Sequence, residues 1–262
     1  MDSSHSIDYE NRFGPAVEAF RAFRPGYPNE VFEQILAAVL LDRRERAVDL
    51  GSGTGLSALP LCEWFREVIA VEPDPQMAAD LAGKNERLAV RNLTAEQCDL
   101  PPESVDLVTS GTAFHWMNGP LVLARVREWL RPGGVLALYN YPVPKLSDMV
   151  QAVADREFAL HWGKFRHPRL DDPHYVERTF LEYSGLQHPQ IRKIPNVVYF
   201  SPEDAVGFCR STSYGGAYLR TLADPEPYLH DLLRQFQLAS EGKPIAADFE
   251  ITLCLGRKPE AG

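Results

Sequence analysis

Cysteine is scarce in this chain, and the four present, Cys62, Cys98, Cys209 and Cys254, are scattered. No two lie close together, which excludes a zinc-ligand spacing and a disulfide framework and suggests a reducing, cytoplasmic setting. Basic charge is also short. Lys and Arg number 27 against 36 Asp and Glu, a formal net charge of −9. A nucleic-acid partner calls for a basic footprint, so none is expected. No apolar run approaches the roughly 20 residues of a membrane-spanning helix, and Met1 to Asn11 is polar rather than leader-like, so no membrane partner is expected either. His161, His167 and His174 are too irregularly spaced for a helical metal pair, and no metal site is expected. The Gly-x-Ser-x-Gly elbow of serine hydrolases is missing. Internal repeats and low-complexity tracts are missing too.

What is present centres on Val48 to Leu56, reading Val-Asp-Leu-Gly-Ser-Gly-Thr-Gly-Leu. An apolar run leads into Asp49, three glycines alternate at Gly51, Gly53 and Gly55, and a helical segment, 56–65, follows. Strand, glycine turn and helix in that order form a nucleotide-binding corner, because glycines bend the chain at positive φ and let a ligand approach the backbone. A dinucleotide fingerprint sets its last glycine three positions after the second. Here the interval is two, which disfavours a nicotinamide oxidoreductase. Val68 to Val71 reads as a buried strand that ends in Glu72, a carboxylate placed to accept both hydrogen bonds of a ribose diol.

The acid-x-Gly-x-Gly-x-Gly run resembles the first motif of the class I S-adenosylmethionine-dependent methyltransferases. The resemblance extends over most of residues 13–140. Arg24-Pro25-Gly26-Tyr27-Pro28 is similar to a segment that lies over the cofactor in small-molecule members, although Phe20 stands where they often carry a tyrosine. Ala113-Phe114-His115-Trp116 is similar to a segment in a subgroup that includes enzymes like the trans-aconitate methyltransferases. The resemblance implies S-adenosylmethionine as cofactor, with Asp49, Gly51, Gly53, Gly55, Glu72, Ser110, Arg24 and Tyr27 around it. Glu96 would edge the adenine, or be a solvated loop acid.

The fold expected is α/β: a Rossmann-like, seven-stranded, mostly parallel sheet with helices on both faces and a helical substrate lid. Residues 1–144 would form an N-terminal cover and the cofactor-binding core. Within them, 13–23 reads as a helix, Asn29 as the cap of another over 30–41, and 131–134 as a tight turn into a strand. Residues 145–246 would form the lid together with the sixth strand, read over 191–200. Within that span, 145–162 reads as one helix and 211–216 as a flexible link. Residues 247–262 would complete the sheet.

The function this implies is methyl transfer to a small molecule through a carboxylate, hydroxyl or amine. A carboxylate needs no base; for a hydroxyl or amine, His115 is the candidate base, or else a structural ring beneath the cofactor. The stretch 145–240 mixes aromatics with arginines, including Trp162, Arg166 and Arg169, and suits a pocket wall. At least one of Arg210, Tyr214 and Tyr218 is expected to line the acceptor pocket with Trp116 and His115. A protein-directed methyltransferase and a cofactor-binding protein without catalysis are the alternatives. Asn140-Tyr141-Pro142 only superficially resembles the Asn-Pro-Pro-Tyr motif of amino-methylating DNA enzymes, and the acidic charge opposes that class.

Overall fold

The computed structural model describes residues 17–260. Phe13 and the polar stretch before it therefore lie outside the described residues. Val17–Phe23 forms α1 and Asn29–Ala38 forms α2. Asn29 is the first helical residue rather than the cap, a position that Pro28 takes without a side-chain bond. α2 buries Val31, Phe32, Ile35 and Leu36 along one stripe, and stops before Leu41, which is exposed.

β1 (Arg46–Leu50) leads through the glycine turn to α3 (Ala58–Leu61) and β2 (Glu67–Val71). α3 is a single turn, far shorter than the helix expected over 56–65. Pro60 sits inside that segment, where it has no N–H to give. α4 (Pro75–Leu81) follows, with Asp74 accepting from the N–H groups of Gln76 and Met77. A cap of this kind contributes about 1 kcal/mol. β3 (Leu88–Arg91), β4 (Val105–Gly111), α5 (Gly119–Trp129) and β5 (Leu130–Asn140) complete the first half. The turn expected at 131–134 is a bulge inside β5. Leu130 pairs with Val105, then Val135 pairs with Leu107, and the residues between loop out through Gly133 at φ 76°.

The second half is built as β6 (Lys145–Leu146), α6 (Asp148–Glu157), α7 (Tyr175–Tyr183), β7 (Gln187–Ile194) and β8 (Val197–Phe200). Then come α8 (Pro202–Ser211), α9 (Ser213–Leu219), α10 (Glu226–Ser240), β9 (Ile245–Asp248) and β10 (Ile251–Arg257). The single helix expected over 145–162 is instead β6, α6 and a π-turn over Phe158–Trp162. The single strand expected over 191–200 breaks at Pro195-Asn196. Proline fixes φ and removes a donor, so the two pieces go to different sheets. The link expected at 211–216 is mostly helical, because Thr212 caps α9 by accepting from the Gly215 N–H at 3.0 Å.

The main sheet has the order β3-β2-β1-β4-β5-β10-β7. β1 to β5 pair in parallel, and β10 runs antiparallel to both of its neighbours, β5 and β7. The seven-stranded, mostly parallel sheet is as expected. Alternate residues of β1 and β2 point to opposite faces. Ala47, Val68 and Ala70 pack with α2 and α3, while Val48, Leu50, Ile69 and Val71 share the other core with α5 and α7. Helices thus cover both faces, as a parallel sheet buried on both sides requires. A second, antiparallel sheet, β6-β9-β8, joins α6, α8, α9 and α10 in the cap. Phe208 lies edge-on to Phe249, and Phe249 edge-on to Tyr141, so one aromatic stack ties the cap to the end of β5. α1 closes from the other side. Gly207 of α8 leaves a notch that the Phe23 ring fills, with no room for any side chain.

Candidate functional site

A cavity of about 270 Å³ opens at the carboxyl end of the sheet, lined by residues that follow β1, β2, β4 and β5. The strand order reverses between β1 and β4. Connections leave there on opposite faces, which opens a crevice at that point.

The glycine turn forms one wall. Gly51, at φ 72°, donates its N–H to Val71 O at 2.8 Å and lies so close to Ala113 that a side chain would collide with it. Gly51 and Gly53 line the cavity. Gly55 does not. A side chain there would meet Leu81 and Leu59, so this glycine serves the packing of α4 on the turn. Glu72 is buried on the cavity wall. Its Oε2 accepts from the Gly53 N–H at 2.7 Å and its Oε1 from the Asp74 N–H at 2.9 Å. Each oxygen keeps lone-pair capacity for a further donor. Burial, with a smaller contribution from the Asp74 charge, pushes the Glu72 carboxyl up to about 7 despite these bonds.

Asp49 lies behind this wall. It is fully buried, takes the Thr109 hydroxyl at 2.7 Å on Oδ1, and has no partner for Oδ2 among the described residues. Burial raises it to about 7, and the neighbouring Glu72 adds to the shift. Ser110 also faces inward: its hydroxyl donates to Leu50 O at 2.8 Å, and it does not line the cavity. Glu96 accepts the Asn118 N–H at 2.7 Å and so holds the start of α5; Thr94 and Ala95, not Glu96, reach the cavity.

The cover segment supplies Arg24 and Tyr27, both lining the cavity. Arg24 is sandwiched between the Phe20 and Phe208 rings, at 5.1 and 5.0 Å, and donates to Ser211 O at 3.1 Å. Its Nε is buried without a partner among the described residues. The Tyr27 hydroxyl donates to Thr112 Oγ1 at 3.0 Å.

The opposite end combines the Phe114–Trp116 turn with the cap. His115, Trp116 and Tyr214 line it together. Tyr214 is braced edge-on by Phe158, with ring centroids 5.7 Å apart. Arg210 and Tyr218 do not reach it. Arg210 is exposed, because α8 turns its buried face, Phe208 and Ser211, inward. Tyr218 stacks on His161 and packs against Tyr228, each at 5.0 Å, inside the cap core. The arginines that do line this end are Arg166 and Arg169. Arg166 is paired with Asp171 at 3.0 Å. Arg169 donates to the carbonyls of Trp116 and Met117 and has no acidic partner among the described residues. Asp172 is also on this wall, bridged to Arg178. Burial, followed by the charges of Arg24, Arg169, Arg166 and His167, pulls His115 down to about 4.

Thr112, Asn140, Thr212 and Ser213 also line the cavity and carry no sequence signal that singles them out. Among the described residues no group of metal-ligating side chains comes together, and no helix is long and apolar enough to cross a membrane.

The family described as a methyltransferase domain matches residues 48–138. A trans-aconitate 2-methyltransferase of Deinococcus radiodurans is 38% identical over 234 residues, 82% of this chain and 87% of that one. A candidate methyltransferase of Dictyostelium discoideum is 26% identical over 261 residues, 95% of this chain and 96% of its own. Other curated relatives align over only about half of their own length. Among solved structures, a candidate type II methyltransferase of Anaeromyxobacter dehalogenans matches with a TM-score of 0.73 at 26% identity, covering 92% of this chain and 100% of that one.

Proposed function

The chain belongs to the class I S-adenosylmethionine-dependent methyltransferases, and we propose that its acceptor is a small carboxylate held by Arg166 and Arg169. The cofactor, S-adenosylmethionine, supplies a methyl group already activated on a sulfonium. The corner fits that group. Glu72 has lone pairs left for a diol, Gly51 and Gly53 leave the wall bare, and Arg24 carries a buried Nε without a partner among the described residues. In this reading Glu72, Gly51, Gly53, Arg24 and Tyr27 serve the cofactor, while His115, Trp116 and Tyr214 shape the acceptor end.

The observation that carries the acceptor class is Arg169, a cation on the cavity wall without an acidic partner among the described residues. Arg169 is exposed overall, yet it lines the cavity and its described hydrogen bonds go to backbone carbonyls, so its charge is available to an anionic acceptor there. Arginine matches a carboxylate through two parallel N–H donors. The cap residues then have one main task, to hold the acceptor oxygen in line, and orientation can supply as much as about 7–11 kcal/mol of the barrier reduction. A carboxylate has no proton to lose. His115, held neutral and weakly basic by burial and then by the surrounding arginines, serves in this reading as a hydrogen-bonding wall and not as a base. The name of the Deinococcus relative, trans-aconitate 2-methyltransferase, points to the same class of acceptor.

The test is a turnover screen for S-adenosylhomocysteine with small mono-, di- and tricarboxylic acids, trans-aconitate among them, beside phenols and amines. Carboxylates should be methylated, with a rate at saturating cofactor that shows no step from a base between about pH 6 and 8. Turnover confined to amines or phenols would rule the reading out.

A further inference from the structure

Thr112 is a β-branched residue at φ 50°. In that left-handed region Cβ crowds the neighbouring carbonyl, and for a branched side chain the conformation is a true outlier. Such strain persists only where the surroundings impose it, and it gathers at functional sites. The surroundings impose it here. The Thr112 N–H donates to Tyr139 O at 2.7 Å, and the Tyr27 hydroxyl donates to Thr112 Oγ1 at 3.0 Å. Gly111, just before it, is pressed against Ser57, Tyr27 and Tyr139 so closely that no side chain fits. Tyr27 is itself held edge-on against Tyr139, with centroids 4.7 Å apart and planes at 89°.

This arrangement leaves one proton over. Burial keeps the Tyr27 phenol protonated, so the two hydroxyls carry two protons, of which one lies between the oxygens. The other has to go elsewhere, and an anion bound on the Thr112 side draws it from Oγ1. No described group accepts that proton, and Thr112 lines the cavity. A hydroxyl that already accepts a hydrogen bond is polarised into a better donor, which suits an anion. The position along the cavity says which anion. Glu72, the diol acceptor, is bonded to Gly53, whereas Thr112 adjoins Ala113, which lies against Gly51 at the strand end of the turn. The acceptor arginine Arg169 is tied further on, to Trp116 and Met117.

We infer that Thr112 donates its hydroxyl proton to the carboxylate of the cofactor's methionine part, and that the left-handed backbone is what turns the hydroxyl toward it. The inference rests on the S-adenosylmethionine reading of the glycine corner. It makes Thr112 a positioning residue that orients the methyl donor.

The experiment is calorimetric titration of the full chain with two ligands, S-adenosylhomocysteine and 5′-methylthioadenosine, which lacks the amino-acid end. Thr112→Val and Thr112→Ala should weaken S-adenosylhomocysteine roughly ten- to a hundredfold, the range for a hydrogen bond to a charged group. The same variants should keep 5′-methylthioadenosine within about twofold, which also shows that the corner is folded. Thr112→Ser, which retains the donor, should bind both like the parent chain. Undiminished affinity of Thr112→Ala for S-adenosylhomocysteine would overturn the inference. So would equal losses for both ligands, which would mark Thr112 as a support of the turn's shape. A parent chain that binds 5′-methylthioadenosine but gains nothing from the amino-acid end would also overturn it. A parent chain that binds neither would overturn the cofactor reading, and this inference with it.

Discussion

The glycine end of the cavity and the cap end are assembled over different distances along the chain. At the glycine end, Gly53 and Glu72 are bonded across 19 residues, and both belong to a single strand-turn-helix-strand unit. At the cap end, Arg169 reaches the Trp116 carbonyl across 53 residues, and Ser211 of the cap takes a hydrogen bond across 187 residues from Arg24 of the N-terminal cover. The electrostatics differ as well. Burial raises Glu72 and Asp49 to about 7 at one end, while burial and arginine charge pull His115 down to about 4 at the other. Burial thus disfavours the charged carboxylate at the glycine end, while arginines add positive charge at the cap end. A local unit can hold one constant ligand, whereas an end built from distant segments can vary with the acceptor.

The comparison breaks most severely at Gly51. Gly51→Val forces a branched side chain to φ 72° and into Ala113, so S-adenosylhomocysteine binding should be lost. Calorimetry checks this, with circular dichroism reporting whether the sheet survives. A variant that kept its affinity would mean that the turn is not the cofactor wall.

Next is Arg169→Gln. If the cap end serves the acceptor alone, the acceptor KM should rise about tenfold or more, with cofactor affinity nearly unchanged. Removing one of its cationic neighbours should also move His115 upward from about 4, which NMR titration of the imidazole can follow. A parallel loss of cofactor affinity would erase the division between the two ends.

The third concerns pH. A diol donates to ionised Glu72 better than to protonated Glu72, so cofactor affinity should rise as pH passes upward through about 7. Asp49 titrates in the same range and interacts with Glu72, so the midpoint belongs to the pair. The stability sign is opposite. A carboxyl raised in the folded state costs nothing below its ordinary value, where both states are protonated, and stability then falls as pH rises from about 4.5 to about 7. Glu72→Gln should flatten the Glu72 share of both profiles, readable by calorimetry and thermal melting at several pH values. A profile unchanged in Glu72→Gln would assign the titration to Asp49.

The smallest effect is expected at Arg210, whose side chain is exposed and outside the cavity. Arg210→Ala should leave the acceptor KM within about twofold. A larger change would extend the acceptor end beyond the wall described above.

The contrast also explains how much of the molecule is legible in its sequence. The order of strands and helices through Asn140 follows from patterns that are local: runs of apolar residues, the glycine turn, Asp74 before a helix, proline at breaks. Glu72, Gly51 and Gly53 line the wall because strand, turn and helix leave the backbone little choice, whereas Gly55 went to the packing of α4. The same locality misled where proline cut a pattern short, as at Pro60 and Pro195. It also misled at 211–216, where glycines suggested a link and the Thr212 cap made a helix.

The acceptor end was only partly legible. Its composition announced aromatics and arginines, and Tyr214 was among the residues named. Which arginines line the cavity was settled by packing: α8 commits its inner face to Phe208 and Ser211, leaving Arg210 in solvent, while the chain after the π-turn brings Arg166 and Arg169 to the cavity, with Arg169 bonded to the Trp116 carbonyl. Glu96 went to the start of α5 and Ser110 to a neighbouring strand for the same reason: backbone groups brought beside them by the fold needed partners. By itself, then, the sequence determined the sheet, its glycine corner and the methyltransferase family, because each rests on residues close together in the chain. The wall facing the acceptor and the strained turn at Thr112 were decided only by the tertiary structure, since they depend on which distant side chains fill the space around them.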